Sequence, residues 1–264
     1  MTVDGKVVVV TGGASGIGRA LCRRFAAEGA RGVVVADRAA DGAAEVAAEV
    51  DGLAVEADVA VEEQVQRLIA EARERYGEID LFCCNAGVFS EGGVEVSDAE
   101  WKRVWDVNFM SIVYAARALL PSMLERGNGA FLITASAAGL LTQVGSAPYS
   151  VTKHAALSLA EWLSMTHADD GIEVFCLCPQ GVNTAMMSEF EADSAIGGYL
   201  KSVALEPDDV AGAVIDAMAA GQFLVLPHPE VADFFQRKAA DYDRWLGGMR
   251  RFQASVGPNE RSET

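Results

Sequence analysis

Tyr149 and Lys153 stand four residues apart in a stretch with helical periodicity, so their side chains fall on one face of a helix. A phenol with an ordinary pKa of ~10 is protonated at neutral pH, and an ammonium beside it favours the ionised form. The pairing moves Tyr149 toward the range in which a general acid/base works best. Ser136 lies thirteen residues upstream, closing a predicted strand, where open α/β sheets place their ligands. Its hydroxyl can hold a substrate oxygen against Tyr149. Taken singly, each has a bland reading: a core-edge tyrosine, a solvated lysine, a turn serine. Together they point to proton transfer at a carbinol or carbonyl oxygen.

A second constellation lies near the N-terminus. A valine-rich strand runs into Thr11-Gly12-Gly13-Ala14-Ser15-Gly16-Ile17-Gly18, and a helix follows at once. Glycines let the backbone turn sharply and approach a ligand, and the helix start offers unpaired N–H groups to a diphosphate. Gly12, Ser15, Gly16, Ile17 and Gly18 are the predicted contacts. Asp37, nineteen residues beyond Gly18, closes the second strand. A carboxylate there accepts hydrogen bonds from adenosine ribose hydroxyls and repels a 2′-phosphate, although Arg38 beside it could meet one. The predicted cofactor is NAD.

The elements that must position these residues alternate along the chain. Strands are expected at residues 6–10, 32–36, 53–57, 79–84, 129–136, 172–178 and 223–226. Helices are expected at 14–28, 41–50, 61–76, 98–125, 148–168 and 208–220. Short strands of unbroken apolar character suit a parallel sheet buried on both faces. The predicted fold is α/β, a doubly wound Rossmann-type parallel sheet of about seven strands with helices on both faces. No linker or repeat divides residues 1–264, which read as a single domain. A long connection at 184–206 and an amphipathic extension at 229–252 exceed what the sheet needs.

Composition narrows the function. Hydrophobic residues are 51% of the 264, and 38 Asp+Glu against 21 Lys+Arg give a formal charge of −17. That field disfavours nucleic acid and anionic lipid. No apolar run is expected to approach membrane-helix length, and the N-terminus lacks a signal-peptide pattern, so a cytoplasmic protein is expected. Cys22, Cys83, Cys84, Cys176 and Cys178 form no disulfide framework. With only His154, His167 and His228 besides, no metal site is expected.

The Gly-x-x-x-Gly-x-Gly spacing, together with Tyr149-x-x-x-Lys153, resembles the short-chain dehydrogenase/reductase family in its short single-domain form, over roughly residues 3–227. Further motifs fall in register: Asp58-Val59, Asn85-Ala86-Gly87, Asn108, Ser136, and Pro179 to Thr184. The resemblance implies that Asp58 and Val59 flank the adenine and that the Asn85-Ala86-Gly87 backbone lies along the adenosine ribose. It also implies that Lys153 holds the nicotinamide ribose, that Pro179, Val182 and Thr184 contact the cofactor, and that Asn108 holds a water linking Lys153 to solvent. Gln180 departs from the pattern, since the family often has Pro-Gly where this chain has Pro179-Gln180-Gly181.

Leu140, Leu141, Gln143 and Val144, with Met186, Met187, Phe190 and Tyr199 of the long connection, read as a mostly apolar pocket. Gln143 and Gln180 are its polar handles. The expected reaction interconverts a secondary alcohol and a ketone on a medium-sized apolar substrate, with NAD as hydride acceptor. An NADP-dependent ketoacyl-type reductase and a catalytically silent cofactor-binding protein remain alternatives. Family precedent implies a homotetramer. Helices 98–125 and 148–168 agree, carrying Trp101, Trp105, Phe109, Leu157, Trp162 and Met165 on more than one face. In the extension, apolar residues from Val231 to Phe252 recur at steps of three and four, as in a helix interrupted at Gly247-Gly248. It is read either as packing or as a lid over the pocket.

Overall fold

A computed structural model describes residues 1–189 and 195–256 of the chain. Seven strands pair in parallel: β1 (Val7–Thr11), β2 (Gly32–Asp37), β3 (Leu53–Glu56), β4 (Leu81–Cys84), β5 (Gly129–Thr134), β6 (Ile172–Leu177) and β7 (Leu224–Val225). Their order in the sheet is β3-β2-β1-β4-β5-β6-β7. The crossovers and flanks carry α1 (Gly16–Ala27), α2 (Ala40–Glu49), α3 (Glu62–Tyr76), α4 (Asp98–Trp105), α5 (Ser111–Arg126) and α6 (Ala137–Leu141). They continue with α7 (Ala147–His167), α8 (Ala195–Ser202), α9 (Pro207–Ala220), α10 (Glu230–Ala240) and α11 (Tyr242–Val256).

The valine run of β1 has no polar face because both of its faces are covered. Val7 and Val9 pack with buried residues of α3, α5 and α7, whereas Val8 and Val10 pack with those of α1, α2 and α9. Alternation thus disappears from the sequence where a parallel strand is sandwiched between helical layers. The strand order reverses between β1 and β4, whose register sets Val9 beside Phe82. That switch point opens a crevice at the carboxyl ends of the strands.

Several elements differ from the sequence expectation. The helix expected at 98–125 is α4 and α5 joined by a π-turn, Asp106–Met110, which contains Asn108. Contrary to the expectation that no such run exists, Asp98–Arg126 taken whole is long and apolar enough to cross a membrane. Here its inner face, with Val104, Ile112, Ala115 and Leu119 buried, packs within the domain. Strand β5 stops at Thr134, so Ser136 lies past its end as the N-cap of α6, a helix the sequence reading did not contain. The connection at 184–206 includes a 3₁₀ turn, Ala185–Glu189, and α8. The extension breaks at Asp241, not at Gly247-Gly248, which lie inside α11.

Candidate active site

Thr11, at the end of β1, ties the switch point together. Its hydroxyl donates to the Cys83 carbonyl at 3.0 Å and accepts from the Asn85 and Ala86 amides at 3.0 and 3.2 Å. Asn85 Nδ2 donates to the Thr11 carbonyl at 3.0 Å, and Thr134 Oγ1 donates to Asn85 Oδ1 at 3.2 Å. The ends of β1, β4 and β5 are thereby fixed to one another. The sequence reading has Thr11 only as the first residue of the glycine-rich motif and does not contain Thr134, because a hydroxyl at a strand end carries no signal of what it will reach.

Beyond Thr11 the chain turns tightly. Gly12 has φ of +66°, and a Cβ at Gly18 would stand 2.0 Å from the Gly12 carbonyl oxygen. Ser15 precedes α1 with extended backbone, and its side chain caps no N–H. The first amides of α1 are therefore left for a ligand. At the end of β2, Asp37 Oδ2 accepts from the Ala14 amide at 3.1 Å and Oδ1 from the Ala39 amide at 3.0 Å. Each oxygen keeps a further lone pair for a ribose hydroxyl. Arg38 next to it is exposed. Asp58 is held similarly, with Oδ1 accepting from the Ala60 amide at 2.9 Å. A glycine cradle, an uncapped helix start and a fixed carboxylate at its far side fit a dinucleotide.

The proton-transfer residues meet at the other end of the crevice. Lys153 is buried on α7, and its Nζ donates to the Thr134 carbonyl at 2.8 Å while lying 5.5 Å from the Tyr149 ring centroid. Burial pushes the lysine down to about 8. Tyr149 moves opposite to the sequence expectation: desolvation raises its pKa, and a hydrogen bond with Ser136 offsets only part of that rise. Desolvation penalises the charged form of each group, so Tyr149 and Lys153 both move toward neutrality. Ser136 Oγ accepts from the Ala138 amide at 3.1 Å, capping α6. Phe89, absent from the sequence reading, packs on the Tyr149 ring with centroids 5.4 Å apart.

A cavity of about 390 Å³ joins these groups. Gly12, Ser15, Gly16, Ile17, Gly18, Asp37, Asp58, Val59 and Asn85-Ala86-Gly87 line it. So do Ser136, Gln143, Tyr149, Lys153, Pro179, Gln180, Val182, Thr184, Met186 and Met187. Asn108 lies outside this lining. Its Oδ1 accepts from the Val88 amide at 2.8 Å, and Nδ2 donates to the Val88 carbonyl at 2.9 Å and to Thr152 Oγ1 at 3.1 Å. Both amide hydrogens are committed to holding the Val88 segment against α7, so a water would meet this side chain by donating to the second lone pair of Oδ1.

The substrate end differs from the expected list. Leu140 and Leu141 pack on the core, and neither they nor Val144 and Tyr199 line the cavity; Phe190 lies outside the described residues. Val88, Phe89, Val107 and Leu200 line it instead. Gln143 Nε2 is bound to the Val144 carbonyl at 3.1 Å. The Gln180 amide N–H donates to His228 Nδ1 at 3.2 Å, and its Nε2 donates to the Tyr199 hydroxyl at 3.0 Å. His228 Nε2 meets the Val203 carbonyl at 3.1 Å, so this histidine straps the end of α8 to the loop after β6. Phe252 of α11 packs edge-on against Tyr199 with centroids 6.4 Å apart.

Residues 6–195 match a family model described as short chain dehydrogenase. The 1-deoxy-11-beta-hydroxypentalenate dehydrogenase of Streptomyces exfoliatus is 38% identical over 239 residues, covering 87% of this chain and 86% of its own. Among solved structures, a short chain dehydrogenase/reductase from Burkholderia phymatum in complex with NAD superposes with a TM-score of 0.84. It is 30% identical, over 92% of this chain and 96% of its own. The L-sorbose reductase of Gluconobacter frateurii, complexed with NADPH and L-sorbose, superposes at 0.77 and is 30% identical, over 86% and 96%.

Proposed function

The chain belongs to the short-chain dehydrogenase/reductase family, and from that premise we propose an NAD-dependent oxidoreductase that interconverts a secondary alcohol and a ketone. The observation that carries this reading is one cavity lined at one end by Gly12–Gly18 and Asp37, and at the other by Ser136, Tyr149 and Lys153. NAD, when bound, supplies the hydride acceptor or donor. Gly12, Ser15, Gly16, Ile17 and Gly18 hold its diphosphate, Asp37 its adenosine ribose, and Asp58, Val59 and Asn85-Ala86-Gly87 its adenosine moiety. Lys153, with Pro179, Val182 and Thr184, holds the nicotinamide side.

The chain's own residues handle the proton. Ser136 Oγ holds the reacting oxygen of the substrate, and Tyr149 Oη takes the carbinol proton in oxidation or returns it to the carbonyl oxygen in reduction. The Lys153 ammonium, 5.5 Å from the Tyr149 ring, stabilises negative charge that develops on the phenol oxygen. Val88, Phe89, Met186, Met187 and Leu200 make the substrate end largely apolar, with Gln143 and Gln180 as polar contacts. This supports a medium-sized apolar alcohol or ketone. Trp105, Trp162 and Met165 stand exposed on α4 and α7, which supports a homotetramer built on those helices.

The test is an activity screen of the purified protein against secondary alcohols and ketones with each cofactor. Turnover is expected with NAD, with catalytic efficiency well over tenfold above NADP, since like-charge juxtaposition costs several kcal/mol. Equal efficiency with both would remove Asp37 as the selecting group, and no turnover with either would favour a silent binder.

A further inference from the structure

Lys238 is a buried cation that the chemistry above does not use. It sits on α10 with 6% of its surface exposed, and its Nζ donates to the Leu140 carbonyl at 2.6 Å. The Tyr242 ring is its other neighbour, 5.5 Å from centroid to Nζ. Among the described residues no carboxylate pairs with it. Burying an ammonium against one carbonyl and one ring is costly, so lysines are seldom found this way without a task.

What the ammonium grips is α6. The Leu140 carbonyl belongs to the last turn of that helix, where acceptors lack an intrahelical donor. At the opposite end, Ser136 caps the same helix through the Ala138 amide at 3.1 Å. Between the two ends α6 presses on α7: a Cβ at Gly139 would stand 2.6 Å from the Lys153 carbonyl oxygen. Helix α6 is therefore a short rod carrying Ser136 at one tip, touching the backbone of Lys153 at its middle, and held by Lys238 at the other tip. Helix α10 is itself anchored by Val231, which is fully buried in the core.

We propose that Lys238 is a positioning residue for Ser136, acting through α6, so that the C-terminal extension helps build the proton-transfer site. This rests on the reading of Ser136 as the group that holds the reacting oxygen beside Tyr149. Lys238 touches neither the reacting oxygen nor the cofactor-binding residues. Its effect is expected in turnover, and binding of NAD to the β1–α1 turn is expected to be unchanged.

The test is a double-mutant cycle in the full-length protein with Ser136→Ala, Lys238→Met and the combination, scored by kcat, KM and NAD affinity. Lys238→Met is expected to lower kcat by about tenfold, the cost of about one buried hydrogen bond, with NAD affinity unchanged. In a Ser136→Ala background the same change is expected to cost less than about twofold, because groups that act as a unit are not additive. Lys238→Arg, which keeps the cation and a donor, is expected to recover most of the lost kcat. Full additivity, an unchanged kcat in Lys238→Met, or an equal loss of NAD affinity would overturn the proposal. If Ser136→Ala keeps native turnover, the reading of the site fails instead.

A second readout needs no turnover. Amide hydrogen exchange at residues 137–141 is expected to speed up about tenfold in Lys238→Met while the β1–α1 turn keeps its protection. Unchanged exchange in α6 overturns the proposal. Should the Met variant not fold, Lys238→Gln, which keeps a neutral donor, takes its place in both experiments with the same contradicting outcomes.

Discussion

At the scale of single residues, the site sets two groups in one low-dielectric pocket and shifts both toward their neutral forms. Raised by burial, Tyr149 is protonated through neutral pH, the form that donates to a ketone. Reduction is therefore expected to hold level across neutral pH and to fall only on the alkaline side. Oxidation, which needs the phenolate, should rise with pH over the same range. Initial rates in both directions at saturating cofactor check this, and an oxidation rate independent of pH would contradict it. Lys153 has a sign of its own. Its folded-state pKa, down to about 8, lies below the unfolded value of about 10.4. Between those values the unfolded chain binds the extra proton, so this group's contribution to stability rises with pH there and is fully unfavourable below about 8. Lys153→Met should thus lose turnover and yet melt no lower than the native protein at pH 7, with any gain shrinking toward pH 10. A Tm several degrees lower would show that the Thr134 contact outweighs the desolvation cost. For the cofactor, Asp37→Ala should narrow or reverse the proposed preference for NAD, with Arg38 left to meet a 2′-phosphate; measured kcat/KM ratios decide it.

At the scale of elements, the sequence revealed most where burial is periodic and least where one contact sets the geometry. The strands were legible because two covered faces produce unbroken apolar runs such as Val7–Thr11. The π-turn at Asp106–Met110 was not, since one extra residue in a turn barely disturbs a helical pattern in a 29-residue stretch. Yet that turn is what aims Asn108 at the Val88 backbone. The break in the extension was misplaced for a different reason. Glycines inside a helix cost only about 1 kcal/mol each, so Gly247-Gly248 are tolerated in α11. Asp241 adopts an extended backbone, and its Oδ1 accepts from the Arg244 amide at 2.9 Å, an N-cap that fixes where α11 begins. Because Phe252 of α11 rests on Tyr199, whose hydroxyl takes the Gln180 amide, the extension reaches the substrate end of the cavity. Phe252→Ala should therefore raise KM for the alcohol several-fold and leave NAD affinity unchanged, as expected of a support that holds Tyr199 and, through it, the Gln180 side chain that lines the cavity. Unchanged substrate kinetics would reduce α11 to packing.

At the scale of the whole molecule, the sheet gathers residues at the ends of six of its strands, β1 to β6, onto one carboxyl edge, and the strand-order reversal supplies the crevice between them. The fold class, and the residues that line the glycine-rich end of the cavity, were legible in the sequence because glycine spacing and a strand-end acid are local signals. The substrate end was read only in part: Met186, Met187, Gln143 and Gln180 line the cavity, whereas Leu140 and Leu141 turn to the core. Which side of a short helix faces a pocket depends on its neighbours, here α7 and α10, and no local pattern encodes that. The proposed homotetramer would cover the exposed Trp162 and Met165; light scattering at micromolar concentration is then expected to report four copies of the 27.9 kDa chain, and a monomer alone would contradict that proposal. The central claim is that this cavity transfers a proton through Tyr149 during an NAD-linked oxidation or reduction. Its most direct test compares native protein and Tyr149→Phe on the best substrate from the activity screen, with NAD affinity measured on both. A loss of at least ~10²-fold in kcat with NAD affinity retained is the result expected for a general acid/base. Native turnover in the Phe variant would contradict the claim.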